Sequence, residues 1–365
     1  MGPVASSLIG LVAWCAQGAG PVQAVQSVPP VPPVQPVQSV PQATPGPPRE
    51  NPWEYPWEIV PEDALWGHLD AGDFREPVGL FYEPSAGELF VADSKNARIG
   101  IFDRQGTPLF SFGGAAVLVE PRVVLADQDG TIYVSDTGLS ELRRFNYRGE
   151  GRGSLVFQMP SAQGGSPRPV SLAAVARERS GRWVVGDRTE NRAFVFEADG
   201  RLVRELPPPI GKQAFQAISD IAVSAEGMVA ISDPQGEPVI HVYDASGTML
   251  YAFGKRDIGL DNFTSAAALA FDERGFLYAV DLLKHDVKVF TPAGRMVARF
   301  GGWFSPQTRG RAPGELLYPA DIAVAPDGPI WVAERFGQRV QLFARRPLSK
   351  PRPAPAGETK GAPGR

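Results

Sequence analysis

The sequence predicts an all-β fold: a six-bladed β-propeller of four-stranded antiparallel blades, with the last blade closed by an N-terminal strand. Three observations predict it. Six times a glycine is followed six residues later by an acid, and nine or ten residues after that by an aromatic. The glycines are Gly87, Gly130, Gly181, Gly227, Gly275 and Gly328; the acids are Asp93, Asp136, Asp187, Asp233, Asp281 and Glu334. The aromatics are Phe102, Phe145, Phe196, Tyr243, Phe290 and Phe343. Second, the acids recur at intervals of 43, 51, 46, 48 and 53 residues, which matches a propeller blade and not a helical or leucine-rich repeat. Third, the sixth copy is incomplete in the way that closing a ring requires.

The last copy shows the strands most plainly. Between Pro319 and Phe343 lie three short apolar stretches, at 322–324, 330–333 and 340–343. Each is strand-sized and rich in β-branched and aromatic residues. Asp327-Gly328 separates the first two, a hairpin signal because glycine reaches positive φ without steric cost. Copies one to five add a fourth stretch, at 109–112, 155–158, 202–206, 249–253 and 296–300. It follows a second glycine four residues past the aromatic: Gly106, Gly149, Gly200, Gly247 or Gly294. A four-stranded meander cannot bury both its faces alone, whereas radial stacking between two neighbours covers them.

In the sixth copy Pro347 stands where that second glycine is due, and further prolines follow. Proline cannot donate to a ladder, so no fourth strand is expected there. An open edge would invite aggregation. The stretch 57–66, Trp-Glu-Ile-Val-Pro-Glu-Asp-Ala-Leu-Trp, has no blade of its own and is expected to supply the missing strand.

These residues carry a family resemblance. Pro319-Ala-Asp-Ile-Ala-Val, then Asp327-Gly328, Ile-Trp-Val-Ala-Glu334 and Gln338-Arg-Val-Gln-Leu-Phe343, resembles the NHL repeat. Copy one is similar: Pro77-Val-Gly-Leu, Leu-Phe-Val-Ala-Asp93, Asn96-Ala-Arg98-Ile, Phe102-Asp103, then Gly106 and Phe112-Gly113-Gly114. The glycine-bearing approach from Gly310 through Gly314 to Pro319 is similar too. The resemblance spans 57–346 and implies the propeller. It leaves function open, because the family includes protein-binding, RNA-binding and catalytic members. Arg98, Arg192 and Arg339 hold the family's arginine position, while Glu141, the Pro238-Val239 insertion and Asp286 replace it in other copies.

The rest of the chain is not blade. Residues 1–48 carry no charged side chain, and 4–16 is an apolar run of signal-peptide length, too short to span a bilayer. Residues 1–24 are therefore expected to be a signal peptide and the protein extracytoplasmic: periplasmic, cell-surface or secreted. No Lys or Arg precedes the apolar run. Cys15 is the single cysteine, which excludes an internal disulfide, and Trp14 before it argues against a lipid anchor. Residues 25–56, rich in Pro, Val and Gln, read as a semi-rigid polyproline spacer. Residues 347–365 read as a disordered Pro-rich tail. No transmembrane segment is expected, and a monomer is the expected state. A formal net charge of −4 gives no bulk-charge case for nucleic acid.

The search for chemistry yields few groups. His68, His241 and His285 fall before blade one, inside a third strand and in a turn, so a three-histidine metal site is not expected, nor any cofactor. The six repeat acids are expected to accept hydrogen bonds from their own turns. Asp220 and Asp321 are the only acids at inner-strand entries, and mark the channel mouth as a possible acid–base pair. What remains is a surface. The linkers between blades and the turns between second and third strands share one face. The longest linker, 301–318, carries Trp303, Phe304, Arg309, Arg311 and Tyr318, residue types that dominate binding hot spots. The linker 251–262 adds Lys255 and Arg256. The expectation is a non-catalytic scaffold that recognises a protein partner there. The alternatives are a propeller enzyme of the lyase or lactonase type with a channel-mouth metal, and an RNA-binding propeller.

Overall fold

The computed structural model describes residues 55–68, 71–160, 166–302, 312–326 and 328–348. Six four-stranded antiparallel sheets follow one another along the chain. In blade one the order from channel to rim is Pro77–Glu83, Glu88–Asp93, Arg98–Asp103 and Pro108–Gly113. Blades two to five repeat this meander, with inner strands at Pro121–Ala126, Leu172–Arg177, Asp220–Val223 and Ala266–Phe271. Blade six is built from Pro319–Val324, Ile330–Glu334 and Arg339–Pro347, and its rim strand is Trp57–Leu65 from the other end of the chain. That strand pairs antiparallel with the third strand from Trp57↔Pro347 to Leu65↔Val340. The third strand thus runs past Phe343, because it has a nine-residue partner to follow.

Packing between blades explains the repeat pattern. Second strands are buried along almost their whole length, since each is covered by a neighbour on both sides. Six apolar clusters occupy the six blade junctions. Phe90, Ile101 and Val134 join blades one and two, and Trp183 and Phe196 sit between two and three. Tyr243 and Phe290 serve the next two junctions. Tyr278 and Phe343 then join five to six, and Leu89, Phe102 and Trp331 join six to one, closing the ring. Each repeat aromatic is therefore a junction residue, and truncating one such buried ring costs about 3–5 kcal/mol.

One strand lies elsewhere than the sequence suggests. The rim strand of blade two is Gly151–Leu155, not 155–158. Its position is set by the turn after Phe145, and a rim strand facing solvent needs no apolar pattern. Val156 and Phe157 lie beyond it, and Phe157 is drawn into the junction with blade three.

Inner strands bring the functional positions together. In five blades the pairing of first and second strand slips by one residue after its first pair, as at Pro77/Gly79 and Pro319/Asp321. The bulge turns the following residue toward the ring axis. Gly79 sits there in blade one, where a Cβ would collide with the carbonyl oxygen of Arg122 in blade two. No helix among the described residues is long and apolar enough to cross a membrane.

Candidate functional site

The repeat acids accept from their own turns, as the sequence predicts, but they also do a second job. Each carboxylate lies at the end of a second strand, beneath the face that carries the linkers. Several accept hydrogen bonds from their own turn, as Asp187 does from Thr189 N–H at 2.8 Å and Asp233 from Gly236 N–H at 2.9 Å. The commoner partner is the linker entering the same blade. Asp93 accepts from Arg75 N–H, Asp136 from Val119 and Glu120, and Asp233 from Gln216 and Ala217. Asp281 accepts from Thr264 and Ser265, and Glu334 from Leu317. Asp187 instead meets a linker side chain, Arg168, at 2.9 Å. These acids staple the linkers to the blades, a job their position in the turn did not disclose.

Three of the acids also hold a buried cation. Arg98 pairs with Asp93 and Arg339 with Glu334, each five residues past its acid. In blade five the role passes to Lys288, which lies 3.1 Å from Asp281 and 2.7 Å from Asp286 and has no exposed surface. Arg192 departs from this pattern: it pairs with Glu205 and Glu190 on the surface. Burial pushes the Glu334 and Asp93 carboxyls up, against the pull of their cations and hydrogen bonds. For Asp281 the balance reverses. Burial acts to raise it, but Lys288 and the Thr264 bonds hold it below the usual carboxylate range.

The stapled face is the apolar one. Among the described residues, Trp66, Val119, Leu139, Ile210, Ile258, Leu260, Leu283 and Phe336 are its exposed large hydrophobics, all in linkers, in second-to-third-strand turns or just past the closing strand. Ile258 and Ile210 keep 89% and 91% of their surface open, far more than any packing role would leave. Across the ring, on the face of the other turns, Tyr147 stands alone in that class. The remaining exposed apolar side chains, Leu109, Phe110, Val203 and Leu250, lie on rim strands.

The sequence-predicted surface residues fall into two groups. Trp303, Phe304, Arg309 and Arg311 lie outside the described residues. Lys255 and Arg256 are exposed at the start of the blade four to five linker, beside Ile258 and Leu260. That loop is fixed by Asp257 to Asn262 and by Lys284, whose Nζ donates to the Gly259 and Asn262 carbonyls. Tyr318 is half-buried. Its ring meets His285 edge-on at 4.6 Å and Phe336 at 5.1 Å, and its N–H donates to His285 Nδ1. Phe336, which sequence reasoning missed, is the half-exposed outer member of that stack.

The channel holds the polar groups. Asp220 and Asp321 both line it, from blades four and six. Asp220 Oδ2 accepts from Leu269 N–H of blade five at 2.7 Å. Asp321 Oδ2 accepts from Leu80 N–H of blade one at 2.6 Å. Desolvation in the channel pushes Asp220 up to about 7, and desolvation followed by the Asp220 charge pushes Asp321 well above the carboxylate range. The same cavity, about 260 Å³, is lined by Arg122, Arg188, Ser135, Ser171 and Ser219. The sequence search passed over both arginines, which occupy no motif position.

The histidines lie apart. His68 packs edge-on against Phe102, His241 against Phe215 and His285 against Tyr318, so each belongs to a different junction. Among the described residues no three His, Cys, Asp or Glu side chains gather as a metal set.

Comparisons with known proteins agree on architecture. No family model matches the chain. "Protein brain tumor" of Drosophila melanogaster is 26% identical over 154 residues, covering 38% of this chain; the chain spans only 14% of that protein's length. Among solved structures, a streptogramin B lyase is similar with a TM-score of 0.52 at 13% identity, over 80% of this chain and 98% of that one. Virginiamycin B lyase from Staphylococcus aureus is similar with a TM-score of 0.51 at 13% identity, over 79% and 99%. At such identity the likeness concerns the fold alone.

Proposed function

We propose that this chain is an exported NHL-repeat propeller that binds a protein partner through its linker-bearing face and carries out no reaction of its own. The observation that supports this reading is the segregation of exposed apolar side chains to that face. Singly exposed apolar residues are ordinary, but a set gathered on one face of a ring and interleaved with Lys255, Arg256 and Arg335 has the composition of a recognition surface. Burying one such side chain contributes about 1.5–3 kcal/mol. The linkers holding these groups are fixed from beneath by the repeat acids, so little ordering remains to be done on binding. Export rests on the uncharged, apolar leader.

The test is affinity capture with the full chain from its native extracytoplasmic fraction. The double variant Ile258→Asp, Leu260→Asp should weaken capture of the partner at least tenfold, and Trp303→Ala with Arg309→Ala should weaken it further. Tyr147→Asp, on the other face, should leave capture intact. Capture indifferent to the linker-face changes would overturn the assignment. Recovery of RNA, or stoichiometric metal at the channel mouth with substrate turnover, would replace it with one of the other propeller roles.

A further inference from the structure

The channel arginines have no use in the partner-binding reading. Arg122 stands at the bulge of the blade two inner strand and lines the cavity, and no described residue offers it a hydrogen bond or an ion pair. Arg188, from the turn of blade three, lines the same cavity and spends one N–H on the Leu172 carbonyl at 3.0 Å. The acids of this region are committed elsewhere. Glu120 is taken by Lys95, Glu76 by Arg335 at 2.9 Å, and Asp136, in the same lining, by the Val119, Glu120 and Thr137 amides. Desolvation, then the Arg188 and Arg335 charges, lowers the Arg122 pKa against a weaker pull from Glu120, so the cations stand close enough to repel one another. Placing like charges together with no ion-paired counter-charge is costly, and an anion between them removes that cost.

We propose that the channel is a binding site for a small oxyanion-bearing molecule, a carboxylate or a phosphate ester, gripped by Arg122 and Arg188 with its uncharged part directed toward Asp220 and Asp321. A guanidinium offers parallel N–H donors that match two oxygens of either group. Ser171, also in the lining, adds a hydroxyl. At the other side, Asp220 and Asp321 each commit one oxygen to a backbone N–H of the next blade, and Asp321 Oδ1 also accepts from Ile322 N–H at 2.8 Å. Burial pushes both carboxyls up, which favours a protonated form that presents an O–H donor in place of negative charge. A cavity of about 260 Å³ suits a small molecule and excludes a folded partner. This inference is independent of the proposed protein-binding face.

The experiment is calorimetric titration of the full chain with inorganic phosphate and, separately, with succinate, at constant ionic strength set by sodium chloride. Saturable binding of at least one is expected, and which one binds identifies the ligand class. Arg122→Gln and Arg188→Gln should each weaken it at least tenfold, while Arg148→Gln on the opposite face leaves it unchanged. Because Arg122 has no hydrogen bond or ion pair with a described residue to lose, and repels Arg188, Arg122→Gln should fold with an equal or higher Tm without ligand. Arg122→Lys, which keeps charge but loses the paired donors, should fall between. No saturable response to either anion, or binding retained in Arg122→Gln and Arg188→Gln, would overturn the proposal.

Discussion

The two faces of the ring are made by the same four-strand meander, yet they turn their corners by different chemistry. On the face of the first-to-second and third-to-fourth turns, positive φ falls to glycine, as at Gly87, Gly106, Gly130 and Gly149. On the linker face glycines take it as well, as at Gly114, Gly138, Gly211 and Gly254, but so do residues with side chains: Glu76, Ala97, Asn191, His285, Tyr318 and Gln338. Among the described residues these six are all the non-glycine residues in that conformation. Each such placement costs about 1–2 kcal/mol that glycine would spare. Among the described residues, one face thus reaches positive φ through glycine alone and is polar, while the other adds six strained side-chain positions, is stapled by buried carboxylates and is apolar at its surface. Strain held in place by surrounding structure gathers at working surfaces, so the contrast singles out the linker face on grounds separate from its exposed side chains.

The contrast can be broken from beneath. Asp281→Ala removes the acceptor for the Thr264 and Ser265 amides and leaves Lys288 buried beside Asp286 alone. Removing one partner of a buried pair costs about 3–5 kcal/mol. Urea unfolding should show that loss, and capture of a partner through the adjacent Ile258 loop should weaken with it. The next largest effect concerns the channel joining the faces. Asp220 titrates at about 7 in the folded chain, well above its unfolded value. Between about pH 4 and 7 the folded state therefore keeps a proton that the unfolded state has released. That stability is complete below the unfolded pKa and is lost as pH rises through 7. With allowance for water in the channel, the fall from pH 5 to pH 8 is about 1–2 kcal/mol. Asp220→Asn should reduce it and Asp220→Asn with Asp321→Asn should flatten it, and a pH-independent Tm in the parent protein would contradict the assignment.

Two smaller changes sharpen the comparison of turns. Gly130→Ala meets open space but forces alanine to φ +81°, so it should cost about 1 kcal/mol in thermal unfolding. Gln338→Gly on the linker face should do the reverse and stabilise by about 0.5 kcal/mol, the relief of strain outweighing the added chain entropy. Equal and opposite substitutions that both destabilise would mean the two faces are not differently strained.

Much of this was legible in the residues. The blade count and the closing strand followed from the glycine–acid–aromatic spacing and from Pro347, because turn chemistry and junction packing are local and repeat identically. What escaped was set by tertiary geometry. The rim strand of blade two was placed by a turn and not by its apolar residues. Lys288 took the cation role from two positions beyond Asp286, which only side-chain reach discloses. Arg122 and Arg188 converge in the channel from two blades without sharing any sequence pattern. Phe336 was hidden in a turn, where exposure cannot be read from residue type.

The pairing of 57–65 with 339–347 fixes the order of events at the ribosome. The closing strand emerges before any blade and its partner only after five blades, so until then the closing strand has no edge to pair with. Assembly of the torus awaits the final blade, and this most distant of contacts sets the pace of maturation. A translational pause before residue 339 would prolong the interval in which holdases must shield the incomplete ring.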